Sequence, residues 1–322
     1  MGRRVLANGA LALGAVLLTL TAGEVAARWV YRDLTTTSPI ESWFGERWRG
    51  EHLRENSLRL REREFSWSKP EGLYRIAVVG DSYTVAMGID TSERYPERIE
   101  AALGPGVQVL QFARPGHEIH HHVMTLRRRI LRAQPDFILL QWYVNDFEID
   151  KFGEPRPAPL LPHWRLHSWL FSHSALYTVL NQRWRVLQVR WGFTPDYADY
   201  LRTRYGDPAG ADSRRAMQWM EWFFDIAAQA GIPIGVVLFP HPTPDLSADY
   251  PFAFLHERVL DACSHRGIRC VDLREVFGEH DVEAIRLNPF DHHASAFAHE
   301  LAAAVLVEAF GDVWRRETVV SP

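Results

Sequence analysis

Lysine is almost missing from this 322-residue chain: Lys69 and Lys151 are the only two, and the rest of the basic side is arginine. With 36 basic against 40 acidic residues the formal charge is -4, so no domain-wide positive field marks nucleic acid as a partner. Cysteine is equally scarce. Cys263 and Cys270 are the whole complement, too few for a disulfide scaffold or a four-thiolate zinc site. Neither an internal repeat nor a low-complexity tract is present, and 47% hydrophobic with 24% charged residues excludes wholesale disorder, collagen and coiled coil. What is left is an enzyme or binding domain with a sizeable core.

One long run without charge stands at the start. Val5 to Gly23 follows Arg3 and Arg4 and ends at Glu24 and Arg28, and as a helix it is long enough to cross a bilayer. The two arginines predict that the segment before the run stays in the cytoplasm and that the body is translocated. A cleavable signal peptide is the rival, with Val25-Ala26-Ala27 as its small-residue site and a secreted body as its consequence. Either way the compartment permits disulfides. Cys263 and Cys270 flank Ser264-His265-Arg266-Gly267, and a short bridge and two buried thiols are both open.

Residues 1–27 are thus expected to form a signal anchor and residues 28–72, polar and arginine-rich, a juxtamembrane connector. From Leu73 short apolar runs alternate with amphipathic stretches, the pattern of βαβ units. Five strands are expected: Tyr74 to Val79, Val107 to Phe112, Asp136 to Tyr143, Ile232 to Phe239 and Ile268 to Leu273, each a nearly continuous apolar run, as for strands covered on both faces. Helical spacing recurs in Ile119, Val123, Leu126, Ile130, in Met217, Met220, Phe224, Ala227, and in Phe297, Leu301, Ala304, Val305. The fold class is α/β: a doubly wound, flavodoxin-like parallel five-stranded sheet over residues 73–314 with flanking helices and the N-terminal transmembrane helix. A helical insertion over residues 147–211 is too long for a plain crossover. Its aromatics, among them Trp164, Trp169, Phe171, Tyr177, Trp184 and Trp191, are expected to pack within the insertion, with sugar stacking as the other use.

The chemistry gathers where strands end. Gly80-Asp81-Ser82 follows the first strand, placing a serine at the carboxyl edge of a parallel sheet beside free backbone N–H groups. Arg114-Pro115-Gly116-His117 follows the second, Asn145-Asp146 the third, and Asp291-His292-His293 precedes the last helix. These converge only in a doubly wound sheet. The histidines at 117, 120, 121 and 122 suggest a metal, but no carboxylate or cysteine motif completes a site in the sequence, so neither metal nor cofactor is expected. Asp81 reads as a cap of the serine turn, Asp146 as a pocket wall or a solvated carboxylate, and His299 as a packed residue of the last helix.

In these blocks the chain resembles the SGNH (GDSL) hydrolases, membrane-associated bacterial members in particular, over about Leu73 to Phe310. Gly80-Asp81-Ser82 is the most specific match, and Asn56-Ser57-Leu58 is similar to the lead-in of exported members. Where members often carry Asn-x-Gly-x-x-Gly this chain has Gln111, Ala113 and Gly116, and Tyr143 stands where a glycine is common. The resemblance implies a serine esterase with Ser82 as nucleophile, His293 as base and Asp291 behind it, His292 being the alternative base. The Ser82 and Gly116 N–H groups and the Asn145 amide would form the oxyanion hole. It also implies an acylated small molecule or glycan as substrate, O-acetyl or another short acyl group above all, and a body on the periplasmic side of a bacterial inner membrane. An O-acyltransferase using the same serine and an inactive glycan-binding subunit are the alternatives.

Overall fold

The computed structural model describes residues 2–35, 39–149, 156–247 and 249–315; residues 36–38 of the expected connector and 150–155 of the expected insertion, Lys151 among them, lie outside the described residues. In chain order the helices are α1 Gly2–Val30, α2 Trp43–His52, α3 Ser82–Val85, α4 Tyr95–Leu103, α5 Ile119–Thr125, α6 Trp164–His173, α7 Ala175–Arg190, α8 Tyr197–Tyr205, α9 Ala211–Gln229, α10 Ala253–His265, α11 Arg274–Gly278, α12 Val282–Ile285 and α13 Ala296–Trp314. The strands are β1 Tyr74–Val79, β2 Val107–Gln111, β3 Phe137–Trp142, β4 Ile234–Leu238, β5 Arg269–Asp272, β6 Arg286–Asn288 and β7 Asp291–Ala294. They form two compact units, residues 52–155 with 196–322 and residues 1–51 with 156–195.

The larger unit is built on a parallel sheet in the order β2-β1-β3-β4-β5. Every residue of β1 and β3 is buried, which is why these strands read as nearly continuous apolar runs, Arg75 and Gln141 being the polar exceptions. All five expected strands are present, β1 with the expected bounds and the other four trimmed by one or two residues at their ends. The register sets Val79 beside Leu140, so the chain leaves β1 and β3 at the same edge. Connections depart from these two strands in opposite directions, and the crevice between their carboxyl ends is where such sheets hold ligands. One element was not expected: β6 and β7 form a small antiparallel hairpin just before α13.

The stretch read as a connector divides at His52, and its second half is a strap of the sheet unit. Asn56 Oδ1 accepts from the N–H groups of Leu58 (2.9 Å) and Leu60 (3.1 Å), a turn that aims the buried Arg61 inward. The Arg61 guanidinium donates to the carbonyls of Val85 (3.0 Å), Ala86 (2.7 Å) and Ile89 (2.7 Å), satisfying groups that α3 leaves open at its end. Burial, with Arg94 beside it, pulls the Arg61 pKa down to about 10. Glu62 completes the strap by accepting from Gln111 N–H at 2.9 Å.

In the smaller unit α1 is apolar enough over Arg4–Val30 to cross a membrane, and no residue of its most apolar 18-residue stretch is buried. Its last turns pack Ala27 against Phe44 and Ala175. The aromatics of residues 164–193 divide: Phe171 and Tyr177 are buried, whereas Trp164, Trp169, Trp191 and Phe193 are exposed, which corrects the expectation that they pack together. Residues 196–211 belong with the sheet unit. Cys263 and Cys270 are both free thiols.

Arg61→Leu removes donors from three buried carbonyls without emptying the volume. The expected loss is about 3 kcal/mol of stability, read as a lower urea midpoint at unchanged slope. An unchanged midpoint would mean the strap is dispensable.

Candidate active site

The turn after β1 is set by β3. Gln141 Oε1, buried at the end of β3, accepts from Asp81 N–H at 3.0 Å and from the Thr84 hydroxyl at 2.8 Å. A Cβ on residue 80 would lie 2.2 Å from that oxygen and 2.4 Å from Thr84 Oγ1, so only glycine fits. Asp81 then caps α3, its Oδ1 accepting from Tyr83 N–H at 2.9 Å, the structural role expected. Ser82 is the first helical residue, and its N–H has no acceptor a turn behind it within the helix.

The two neighbouring loops close on this turn. Arg114 N–H donates to Gly80 O at 3.3 Å, and Gly116 follows with φ +71°, a left-handed conformation that exposes its backbone. Among the described residues the Gly116 N–H has no hydrogen-bond partner. Asn145 reaches the same loop, its Nδ2 donating to His117 O at 3.4 Å. Asp146 beside it is buried, which corrects the solvated reading: its Oδ2 accepts from Tyr143 N–H at 2.9 Å and its Oδ1 lies 3.0 Å from His122 Nε2.

The unexpected hairpin carries Asp291 and His293. Asp291 is fully buried, and its Oδ1 accepts from His293 N–H at 3.0 Å and faces His293 Nδ1 at 2.6 Å. This fixes the proton on Nδ1 and leaves Nε2 as the basic nitrogen. β7 packs on α3. The Tyr83 hydroxyl donates to His292 O at 2.8 Å, and the Tyr83 ring lies 5.5 Å from His293 and 4.3 Å from Tyr143. Tyr83, next to the serine, thereby fastens the hairpin to the serine turn. The Ser82 hydroxyl makes no hydrogen bond to His293 in this structure; such bonds are often long until substrate closes the site. His292 does not share the Asp291 bond. Its ring is 4.8 Å from that of His241.

The electrostatics separate the carboxylates and the imidazoles. Burial alone would pull His293 down, but the Asp291 charge and hydrogen bond, with Asp81 adding, outweigh it and raise its pKa. Burial, then the Asp146 charge, pushes Asp81 up to about 6. His241 falls to about 3 by burial, reinforced by His292 and His293; it also contacts the Tyr143 hydroxyl. Gln141, Tyr83 and His241 were not picked out from the sequence, and Tyr143 was noted there only as standing where a glycine is common. Tyr83 and Tyr143 adjoin the named serine and asparagine blocks, whereas Gln141 and His241 have only their place at strand ends to mark them.

The histidine cluster has the carboxylate that the sequence reading missed. Glu118, His120 and His121 bring ligand-type atoms within 4.8 Å of one another. Glu118 and His121 make a capping box at the start of α5, Glu118 N–H donating to His121 Nδ1 at 3.3 Å. His299 is buried and accepts from Tyr95 N–H at 3.3 Å, as expected for a packed residue.

No family model and no curated protein matches this chain. Solved structures do. A lipase, Lip_vut3, from goat rumen metagenome is 16% identical with a TM-score of 0.47, covering 76% of this chain and 99% of that one. An acetyl xylan esterase, AlAXEase, is 13% identical with a TM-score of 0.47, covering 73% and 98%. A putative lipolytic protein of the G-D-S-L family from Desulfitobacterium hafniense is 10% identical with a TM-score of 0.45, covering 73% and 98%.

The raised His293 pKa makes a sign-definite prediction. The Asp291–imidazolium pair adds stability in full below about pH 6.5, the ordinary histidine value, and loses it as pH rises through the raised value. NMR titration of the His293 ring should give a midpoint above that value, falling in Asp291→Asn and, less, in Asp81→Asn, which keeps the cap. A wild-type midpoint below it would refute the pairing.

Proposed function

We propose that this chain is a serine ester hydrolase of the SGNH type that works through an acyl-enzyme. The observation that carries the reading is the pairing of buried Asp291 with half-buried His293, presented by a hairpin packed on the helix that starts with Ser82.

An alcohol is a weak nucleophile at neutral pH, so a base must take its proton as it attacks. His293 Nε2 is the basic nitrogen, because Nδ1 is committed to Asp291. Ser82 Oγ forms the bond to the acyl carbon while its proton passes to His293, and negative charge develops on the carbonyl oxygen. The Ser82 and Gly116 N–H groups and the Asn145 amide receive that charge, each such donor lowering the barrier by on the order of 3 kcal/mol. Collapse expels the alcohol, which takes the proton from the imidazolium. Water, activated by the same imidazole, then releases the acid and restores Ser82.

The rings of Tyr83, Tyr143, His241 and His292 around His293 support a short acyl group, acetyl or similar. The α1 helix supports a membrane-anchored protein whose body is extracytoplasmic, and an envelope glycan or related ester is the substrate class that fits such a placement. No residue in the mechanism calls for a cofactor.

Full-length protein in detergent should release p-nitrophenol from its acetyl ester faster than from long-chain esters. Activity should rise with pH along a limb set by His293, and Ser82→Ala should lower kcat by several orders of magnitude, on the order of 10⁴-fold or more. Turnover in Ser82→Ala equal to wild type would remove Ser82 from the mechanism. Consumption of the ester only with an added glycan acceptor would make the enzyme a transferase.

A further inference from the structure

We propose that the α6–α7 hairpin is a membrane foot: it lies in the headgroup region of the bilayer that α1 spans, and the cleft between α1 and the hairpin takes phospholipid acyl chain. This rests on the reading of α1 as a retained anchor.

The depth follows from one residue. At 1.5 Å per residue about 20 apolar residues match the ~30 Å hydrocarbon core, and in α1 the charge-free run stops at Glu24. Glu24 is also the docking point of the hairpin. Its carboxylate accepts from Ser174 Oγ at 2.6 Å and from the N–H groups of Ala175 and Leu176, both at 3.0 Å, which caps the start of α7. Arg28, one turn on, pairs with Glu24 at 2.6 Å and donates to His173 O at 3.1 Å. The hairpin is therefore fastened at the level where hydrocarbon gives way to headgroups.

Its surface suits that level. Among its described residues α6 buries only Phe171, while Trp164 and Trp169 are 69% and 58% exposed and Val186 on α7 is 61% exposed. A helix that leaves two tryptophans in water loses hydrophobic stabilisation that an interface would restore. Arg165 lies over the Trp164 ring at 5.2 Å, an aromatic body with a cationic tip of the kind that settles among lipid phosphates. The cleft has a volume of about 540 Å³. Leu20, Val25, Trp169, Leu176 and Leu180 line it, with Glu24 and Arg28 among the polar residues at its wall. This is an amphiphile's environment: apolar for a chain, polar for its attachment.

The test uses the full chain in bilayers whose phospholipids carry bromine on the acyl chain just below the headgroup, compared with plain lipid. Trp164→Phe/Trp169→Phe isolates the two exposed rings by difference, and both positions are exposed enough to keep the fold. The expected result is that the emission lost in this variant is strongly quenched by brominated lipid. Equal brightness in both lipids, in protein that resists carbonate extraction, would overturn the foot while leaving the anchor standing. Extraction of the protein by carbonate would overturn the anchor, and the foot with it.

Discussion

A single amide oxygen holds the serine turn in shape. Gln141 Oε1 sits where the carboxyl ends of β1 and β3 meet and accepts from both Asp81 N–H and the Thr84 hydroxyl. Because it occupies the space beside residue 80, that residue has no side chain, and because it ties down both ends of the short turn, Ser82 begins a helix with its N–H unspent. Arg61 does the matching work at the far end of α3, where it satisfies three carbonyls at once. A helix of four residues has little stability of its own; these two buried polar residues supply what its length does not.

The second constraint is burial of charge. Asp291, Asp81 and Asp146 are all but inaccessible, and ionised carboxylates so placed are costly unless hydrogen-bonded or paired. Asp291 meets the condition through the N–H and ring of His293, and Asp146 through Tyr143 N–H with His122 nearby. Asp81 is partnered on one oxygen only, and its pKa rises accordingly. The result is one imidazole held basic by two carboxylates, in a group of histidines of which His241 and His117 are driven to about 3 by burial and their neighbours. Only an imidazole with a carboxylate behind it is suited to take a proton near neutral pH.

The sheet was legible in the sequence because strands covered on both faces are apolar at nearly every position, and the few polar residues in them, Gln141 among them, did not break the runs. The positions of Ser82, Gly116 and Asn145 followed, since a parallel sheet puts the residues after its strands at one edge. The β6–β7 hairpin was not legible: its strands are three and four residues long and spell polar side chains, so no period rises above the turn residues around Pro289. The strap was hidden for the opposite reason. Arginine-rich segments ordinarily face water, and only the carbonyls that α3 leaves open give Arg61 a reason to be inside. Likewise Glu118 lies two residues before His120 in sequence, yet its meeting with His121 depends on the cap that starts α5.

The central claim is that Ser82 is made nucleophilic by the Asp291–His293 pair. The most direct measurement is covalent capture with a fluorophosphonate, in which serine oxygen bonds to phosphorus as fluoride leaves, followed by mass spectrometry of the peptides. The account predicts an adduct on Ser82 whose rate of formation rises with pH as His293 loses its proton and falls sharply in Asp291→Asn. An adduct on another serine, or none on folded protein, would contradict it.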